Sequence, residues 1–303
     1  MGTLVAAADI GSNTAHMLVA DVTPTGLRRI VNESEWLSLG EVVKREGHIP
    51  KKEAERLLFT LKSFADTASS YKVDALYVFA TEAMRRAANH REILKEIKSK
   101  VGVKVDLISP AREAELSLRG ASVDCPVDGH TLLVEAGGGS VQVADCRDGL
   151  IVAERSLPIG TGTLIAASKV TQPASPEMVA QVKLNISRAL EEVADFAPPQ
   201  RVVACGGVAR GVWRALHPDG EPSLQAEEIE YLAWDAARLP TATISARYSV
   251  KLKRAQTLLP GALVYLGVLG VFAQTEMLVS EYGVREGAVL EIADGREERW
   301  RKR

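Results

Sequence analysis

The chain has 303 residues, 46% apolar, 25% charged and only 5% aromatic, with 37 basic residues against 39 acidic ones and a formal net charge of −2. These proportions belong to a globular chain, and they exclude a generally basic nucleic-acid binder and an acidic disordered chain. The length exceeds the size at which one core usually stops growing, so two domains of roughly 120 to 180 residues are expected.

The chain opens MGTLVAAADIGSN, with no basic stretch before the apolar run and an acid at Asp9. That is a buried strand rather than a signal peptide. Strands are predicted over Leu4–Ile10 and Met17–Val22, around the turn GSNT, and over Leu27–Leu37. Pro50 opens a helix that places Leu57, Leu58, Leu61 and Phe64 on one face. A buried strand ALYVFA follows over Ala75–Ala80, then short helices from Glu82 and from Arg91, a strand near Val103–Ile108 and a helix over Pro110–Leu118. The domain boundary is expected between Gly120 and Gly129, giving domains 1–120 and 121–303.

The second half restarts in the same way. TLLVEA, the turn GGGS, VQVADC and Ile151–Ser156 form a second strand group, followed by a long helix over Pro176–Phe196 and a strand over Arg201–Cys205 ending in a Gly-Gly turn. The 21 residues Ala255–Thr275 carry no charge, but Pro260, three glycines, two glutamines and Tyr265 make them a buried core helix opened by Pro260 rather than a membrane span. A short strand over Met277–Ser280 and a helix after Gly283 close the chain. The tail REERWRKR is read as a frayed, solvated terminus. Cys125, Cys146 and Cys205 are odd in number and lack metal-ligand spacing, which points to a reducing, cytoplasmic setting without disulfides or zinc.

Asp9-Ile-Gly-Ser-Asn-Thr14 and Glu135-Ala-Gly-Gly-Gly-Ser140 share an acid, a spacer, a glycine and a final hydroxyl, 126 positions apart. Glycine exposes backbone N–H groups and lets a ligand approach the main chain, so two such loops facing each other across a cleft would grip a phosphate chain. Ser12, Asn13 and Thr14 in the first loop and Gly137, Gly138, Gly139 and Ser140 in the second are the phosphate-binding candidates. Asp9 and Glu135 beside them are the candidates to hold Mg²⁺ or another divalent cation, which binds through one or two carboxylates plus phosphate oxygens.

The strings VAAADIGSNTAHMLVADV, FATEAMRRAAN, LISPAREAELSLRGA, LLVEAGGGSVQVAD, SLPIGTGTL, VVACGGVAR and KRAQTLLPGAL…GVREG resemble, in order and spacing, the Ppx/GppA family. That family comprises exopolyphosphatases and guanosine pentaphosphate phosphohydrolases of the actin, Hsp70 and sugar-kinase superfamily. The resemblance implies an α/β, ribonuclease H-like fold of two domains with mixed sheets flanked by helices and an interdomain cleft, in the short form of the family. It implies hydrolysis of terminal phosphoanhydride bonds of polyphosphate, or of the 5′ γ-phosphate of pppGpp. Glu113 matches the family's base for water, the alternative being a first-turn glutamate that complements the helix dipole. Arg85 matches an arginine that neutralises charge on the scissile phosphate, the alternative being an exposed helical arginine, while Arg86 reads as surface. His16 reads as packed rather than as a ligand.

The chain departs from the family pattern at Glu135 for aspartate, at Gln142 for glutamate and at REAE for EEAR, where Arg112 is expected to hold the adjacent Glu113 ionised. These departures keep a non-catalytic polyphosphate or alarmone sensor open. A sugar kinase of the same superfamily would need an acidic base for a hydroxyl, which has no clear place here. A homodimer is common among family relatives; neither nucleic acid nor a membrane is expected as a partner. Between Asp235 and Glu276 there is no acid, yet Arg238, Arg247, Lys251, Lys253 and Arg254 are present, and between Asp195 and Asp219 only Arg201, Arg210 and Arg214 carry charge. These windows are expected to form a basic channel for a polyanion, with Arg210, Lys251, Lys253 and Arg254 at its centre, despite the neutral total.

Overall fold

The alanine- and valine-rich start forms the central strand of a mixed sheet, because small and branched side chains pack tightly between two covered faces. In the computed structural model, which describes residues 2–295, the chain divides into two units, Met1–Val123 with Tyr282–Arg303, and Asp124–Glu281. The basic tail over 296–303 lies outside the described residues.

In the first unit β1 (Thr3–Ile10), β2 (Thr14–Thr23) and β3 (Gly26–Trp36) form an antiparallel meander. Helices α1 (Leu39–Glu46) and α2 (Lys51–Ser70) follow, then β4 (Ala75–Ala80), α3 (Glu82–Arg86), α4 (His90–Val101), β5 (Val105–Leu107) and α5 (Pro110–Ala121). Strands β4 and β5 join parallel to β1, giving the order β3-β2-β1-β4-β5. Helix α1 escapes sequence reading because it is short and starts from Ser38 in a left-handed conformation, φ 57°. Helix α5 starts where expected, with Ser109 capping the Arg112 amide and Pro110 in the first turn.

The second unit repeats the meander with β6 (His130–Ala136), β7 (Val141–Arg147) and β8 (Leu150–Leu157), then adds α6 (Thr161–Ala167), α7 (Pro176–Leu190), β9 (Arg201–Cys205), α8 (Gly206–Leu216), β10 (Ser223–Gln225), α9 (Ala226–Arg238), α10 (Thr241–Arg247), α11 (Leu252–Val271) and β11 (Glu276–Val279). Its sheet runs β10-β11-β9-β6-β7-β8, so β8-β7-β6-β9-β11 matches the first sheet strand for strand. Asp9 and Glu135 therefore occupy equivalent places, each one residue before the end of its central strand. Both units have the mixed, helix-flanked α/β architecture expected from the resemblance.

Three expectations change. The Gly-Gly pair after β9 is the first turn of α8 and not a separate turn, with Gly206 at φ +85°. Helix α11 begins at Leu252, so Pro260 lies inside it and leaves the Gln256 carbonyl without its helical donor. Among the described residues α11 is long and apolar enough to cross a membrane, but two-thirds of its apolar window is buried, and Leu258, Ala262, Tyr265 and Leu269 fill the core of the second unit. Finally the chain returns: α12 (Val284–Ala293) packs Ala288, Val289 and Ile292 on β1 and β4 of the first unit. The second unit spans Asp124–Glu281, where the sequence suggests a domain over 121–303, and α12 belongs with the first unit. A Cβ at Gly287 would lie 1.8 Å from the Leu116 carbonyl oxygen and one at Gly120 only 2.0 Å from that of Gly283, so α5 and α12 meet backbone to backbone.

Candidate functional site

The first loop is shaped by where its carbonyls go. The Asn13 oxygen accepts the amides of Leu37 (2.8 Å) and Ser38 (2.9 Å), and the Ser12 oxygen accepts that of Gly40 (2.8 Å), at the entry to α1. A trans peptide sets N–H opposite C=O, so the Asn13 amide points away from α1. Gly40 is required by space: a Cβ there would lie 2.8 Å from Ser12 Cβ. The Ser12 hydroxyl donates to Glu82 Oε2 at 2.8 Å, and Arg86 donates to the other oxygen of Glu82 at 3.0 Å. Ser12 is thus already oriented by a carboxylate, while Thr14 opens β2 opposite Trp36.

The second loop is built on the same plan and more completely. The Gly137 oxygen accepts the Thr161 amide (2.9 Å), the Gly138 oxygen those of Gly162 (2.9 Å) and Thr163 (3.2 Å), and the Gly139 oxygen the Gly160 amide (3.2 Å) and the Thr163 hydroxyl (2.9 Å). All three carbonyls face the N-terminus of α6, so the amides of Gly138, Gly139 and Ser140 face the other way as a row of donors suited to phosphate oxygens. Gly160 allows this contact, because a Cβ would lie 2.4 to 2.6 Å from backbone atoms of Gly138, Gly139 and Ser140.

The structure brings Arg85 and Glu113 together. Arg85 Nη1 donates to the Ile108 carbonyl at 2.7 Å and lies 3.3 Å from Glu113 Oε2, with both side chains less than a fifth exposed. That excludes the exposed-arginine reading. The Arg112 guanidinium bonds Glu115 at 3.1 Å and also Glu291 of α12. Successive helical residues diverge by about 100°, so residue 112 reaches α12 while residue 113 reaches Arg85.

The two metal candidates differ. Asp9 is 9% exposed; Arg285 Nη1 reaches its Oδ1 at 3.3 Å, and His16 Nδ1 stands 3.7 Å from its Oδ2. A carboxylate already neutralised by a buried guanidinium is a poor ligand for a second cation. Glu135 sits opposite Gln142 on β7 and beside Cys205 on β9, with Gly206 so close that a Cβ there would lie 3.2 Å from Glu135 Oε1. Gln142 is 5% exposed and neither of its amide atoms has a partner among the described residues. A carboxylate paired with an unsatisfied amide oxygen fits a hydrated divalent cation. No group of three His, Cys, Asp or Glu side chains suited to a metal occurs among the described residues. Below Glu135, burial above all keeps the fully enclosed Tyr265 phenol protonated far beyond its usual range, with Cys205 and Glu135 adding to the effect.

The residues of the basic windows have different partners. Arg201 pairs with Asp128 at 2.7 Å, Arg214 with Glu281 at 3.6 Å and Arg247 with the buried Asp235 at 2.7 Å, while Arg238 stacks 3.7 Å above Trp234. These four are spent on structure. Lys251 and Lys253 are exposed where α11 begins. Arg210 donates to the Glu281 carbonyl at 3.0 Å. Arg254 packs against Gly207 and Gly211 of α8 and has no ion-pair partner among the described residues. Burial, and then Arg210, push the Arg254 guanidinium below its ordinary range. Two cavities of about 630 and 590 Å³, one between α7 and α11 and one between β3 and α2, contain none of the expected site residues.

Sequence reasoning missed Glu82, Arg285 and Gly160, and read Gly206 only as part of a turn. All four lie inside strings that carry the family resemblance, but their tasks depend on partners in other strings, far away in sequence.

The model of the Ppx/GppA phosphatase family matches residues 18–295. Exopolyphosphatase 1 of Mycobacterium leprae is 25% identical over 304 residues, covering 94% of this chain and 88% of that protein. The crystal structure of the Aquifex aeolicus member of the Ppx/GppA family superposes with a TM-score of 0.84 at 25% identity, covering 98% of this chain and 99% of that one. A Cytophaga hutchinsonii exopolyphosphatase has the same fold, with a TM-score of 0.87 at 24% identity over 97% of this chain and 98% of that one.

Proposed function

The chain belongs to the Ppx/GppA phosphatase family, and within it we propose that the protein is an exopolyphosphatase that removes orthophosphate from the ends of inorganic polyphosphate. The observation that carries this reading is the second loop. Three consecutive carbonyls are consumed by α6, which turns three consecutive amides outward as a fixed cradle for phosphate oxygens.

Glu113 is the base. Its carboxylate takes a proton from water as the water oxygen bonds to the terminal phosphorus; the bridging P–O bond breaks, and the products are orthophosphate and a chain one phosphate shorter. Arg85, anchored on the Ile108 carbonyl, fixes the Glu113 carboxylate and presents positive charge beside it. Glu135, with Gln142 opposite, would hold Mg²⁺ or another divalent cation, which when bound offsets charge on the phosphate oxygens. The Arg210–Arg254 pair supports an anionic substrate, since a half-buried guanidinium beside another, with no carboxylate paired to it among the described residues, is balanced by an anionic ligand.

The test is phosphate release from long-chain polyphosphate with Mg²⁺. Wild type releases phosphate, and Glu113→Gln binds polyphosphate but loses at least a hundredfold in turnover. Release from pppGpp but not from polyphosphate moves the protein to the pentaphosphate reading. Binding of polyphosphate without turnover by wild type makes it a sensor, as the replacement of a carboxylate by Gln142 allows.

A further inference from the structure

Arg285 occupies the second position of α12 and is 7% exposed. A cation in the first turn opposes the helix macrodipole, so something other than its own helix holds it there. Its neighbour Glu286 is not the partner: that carboxylate takes Arg29 at 2.9 Å and the Gly283 amide at 3.0 Å. The partner is Asp9, 276 residues away in sequence and also buried, at 3.3 Å. The second oxygen of Asp9 faces His16, its direct cross-strand neighbour.

We propose that Arg285 is the resident cation of Asp9, so that Asp9 is a positioning residue at the end of β1 and not a metal ligand, and Glu135 alone of the paired acids serves a divalent ion. The sequence repeat makes Asp9 and Glu135 look alike. The structure makes them opposites, one neutralised within its own unit by a guanidinium from α12, the other set against an unsatisfied amide. The pair keeps the strand end that leads into Gly11–Asn13 electrically neutral and fixed, and it makes the return of α12 a requirement for a formed first loop.

This inference goes beyond the polyphosphatase reading and needs no turnover. The experiment is a Mn²⁺ titration of chelator-treated protein, read by the electron paramagnetic resonance signal of free Mn²⁺, with melting of the metal-free protein alongside. Arg285→Gln uncovers Asp9 and is expected to gain one Mn²⁺ site or bind at least tenfold tighter than wild type. Arg285→Lys keeps the wild-type isotherm, and adding Asp9→Asn to Arg285→Gln removes the gain. Asp9→Asn alone leaves Mn²⁺ binding unchanged and lowers the melting temperature of the metal-free protein, because a buried guanidinium loses its partner. Should Arg285→Gln not fold, the Asp9→Asn isotherm and melting temperature decide. Weakening of Mn²⁺ binding by Asp9→Asn as large as that by Glu135→Gln, unchanged or raised melting of metal-free Asp9→Asn, or no gain in folded Arg285→Gln, overturns the proposal.

Discussion

Replacing Gly160 by alanine adds one methyl group at a place where three backbone atoms stand 2.4 to 2.6 Å away, against the 3.4 Å or more of an ordinary contact. The backbone φ of −59° suits alanine, so the whole effect is one of space. The second loop and α6 must part by about 1 Å, the difference between those two distances. The amide bonds from Gly160, Thr161, Gly162 and Thr163, now 2.9 to 3.2 Å, then lengthen, and the two longest, from Gly160 and Thr163, fail. Losing two of them at about 1 kcal/mol each, with overpacking at about 1 kcal/mol or more, predicts a loss of roughly 3 kcal/mol. At roughly 2–4 °C per kcal/mol this lowers the melting temperature by about 6–12 °C. A displacement of this size also spoils the aim of the amide nest, so KM for polyphosphate rises at least tenfold. The control is Gly270→Ala on α11, where a Cβ meets nothing within 4 Å, and which is expected to be neutral or stabilising by about 0.5–1 kcal/mol. If Gly160→Ala matches Gly270→Ala in both melting and KM, the cradle is not held by α6 and the reasoning fails.

Four further expectations follow from other parts of the molecule. Gly206→Ala, strained at φ +85° and pressed against Glu135, is expected to cost about 1–2 kcal/mol in denaturant unfolding. Arg254→Met keeps or raises the melting temperature while weakening polyphosphate binding several-fold, and a flatter salt dependence of that binding is the confirming measurement. Glu228 raises the folded-state pKa of His217 above its ordinary 6.5, and the Gln225 amide followed by His217 lowers that of Glu228 below 4.5. The His217 share of stability is therefore full below about pH 6.5 and lost as pH rises, and the Glu228 share is lost as pH falls below about 4.5; His217→Gln should lower melting at pH 5.5 and not at pH 8.5. Burial pushes the Cys125 and Cys146 thiols up to about 12, and Cys205 is fully enclosed, so a disulfide exchange reagent at pH 8 should titrate no thiol in native protein and three after denaturation.

Much of the fold was legible because it is written in local patterns. Apolar runs, Ser-Pro helix starts at Ser109 and Ser175, and the repeated acid-glycine turns each depend on residues within a few positions of one another. The site was legible as far as its loops. The match of motifs singled out Arg85 and Glu113 separately; neither their pairing nor that of Arg112 with Glu291 could be read from the motifs, because helix rotation and tertiary packing decided which neighbour each side chain met. The basic windows showed where acids are absent in sequence and not which of their cations are paired in space, for the same reason. Asp235, which only bounds a window in sequence, neutralises Arg247 in space, and acids from outside neutralise Arg201 and Arg214.

By itself the sequence determined the strand and helix grammar, the duplication of the acid-glycine turn and the family to which these motifs belong. Only tertiary structure decided which of two equivalent acids was already satisfied. Arg285 meets Asp9 across 276 residues because α12 returns to the first sheet, and no local pattern encodes that return. A carboxylate's chemistry is set by the charge standing within a few ångströms of it, and that distance exists only after the chain has folded.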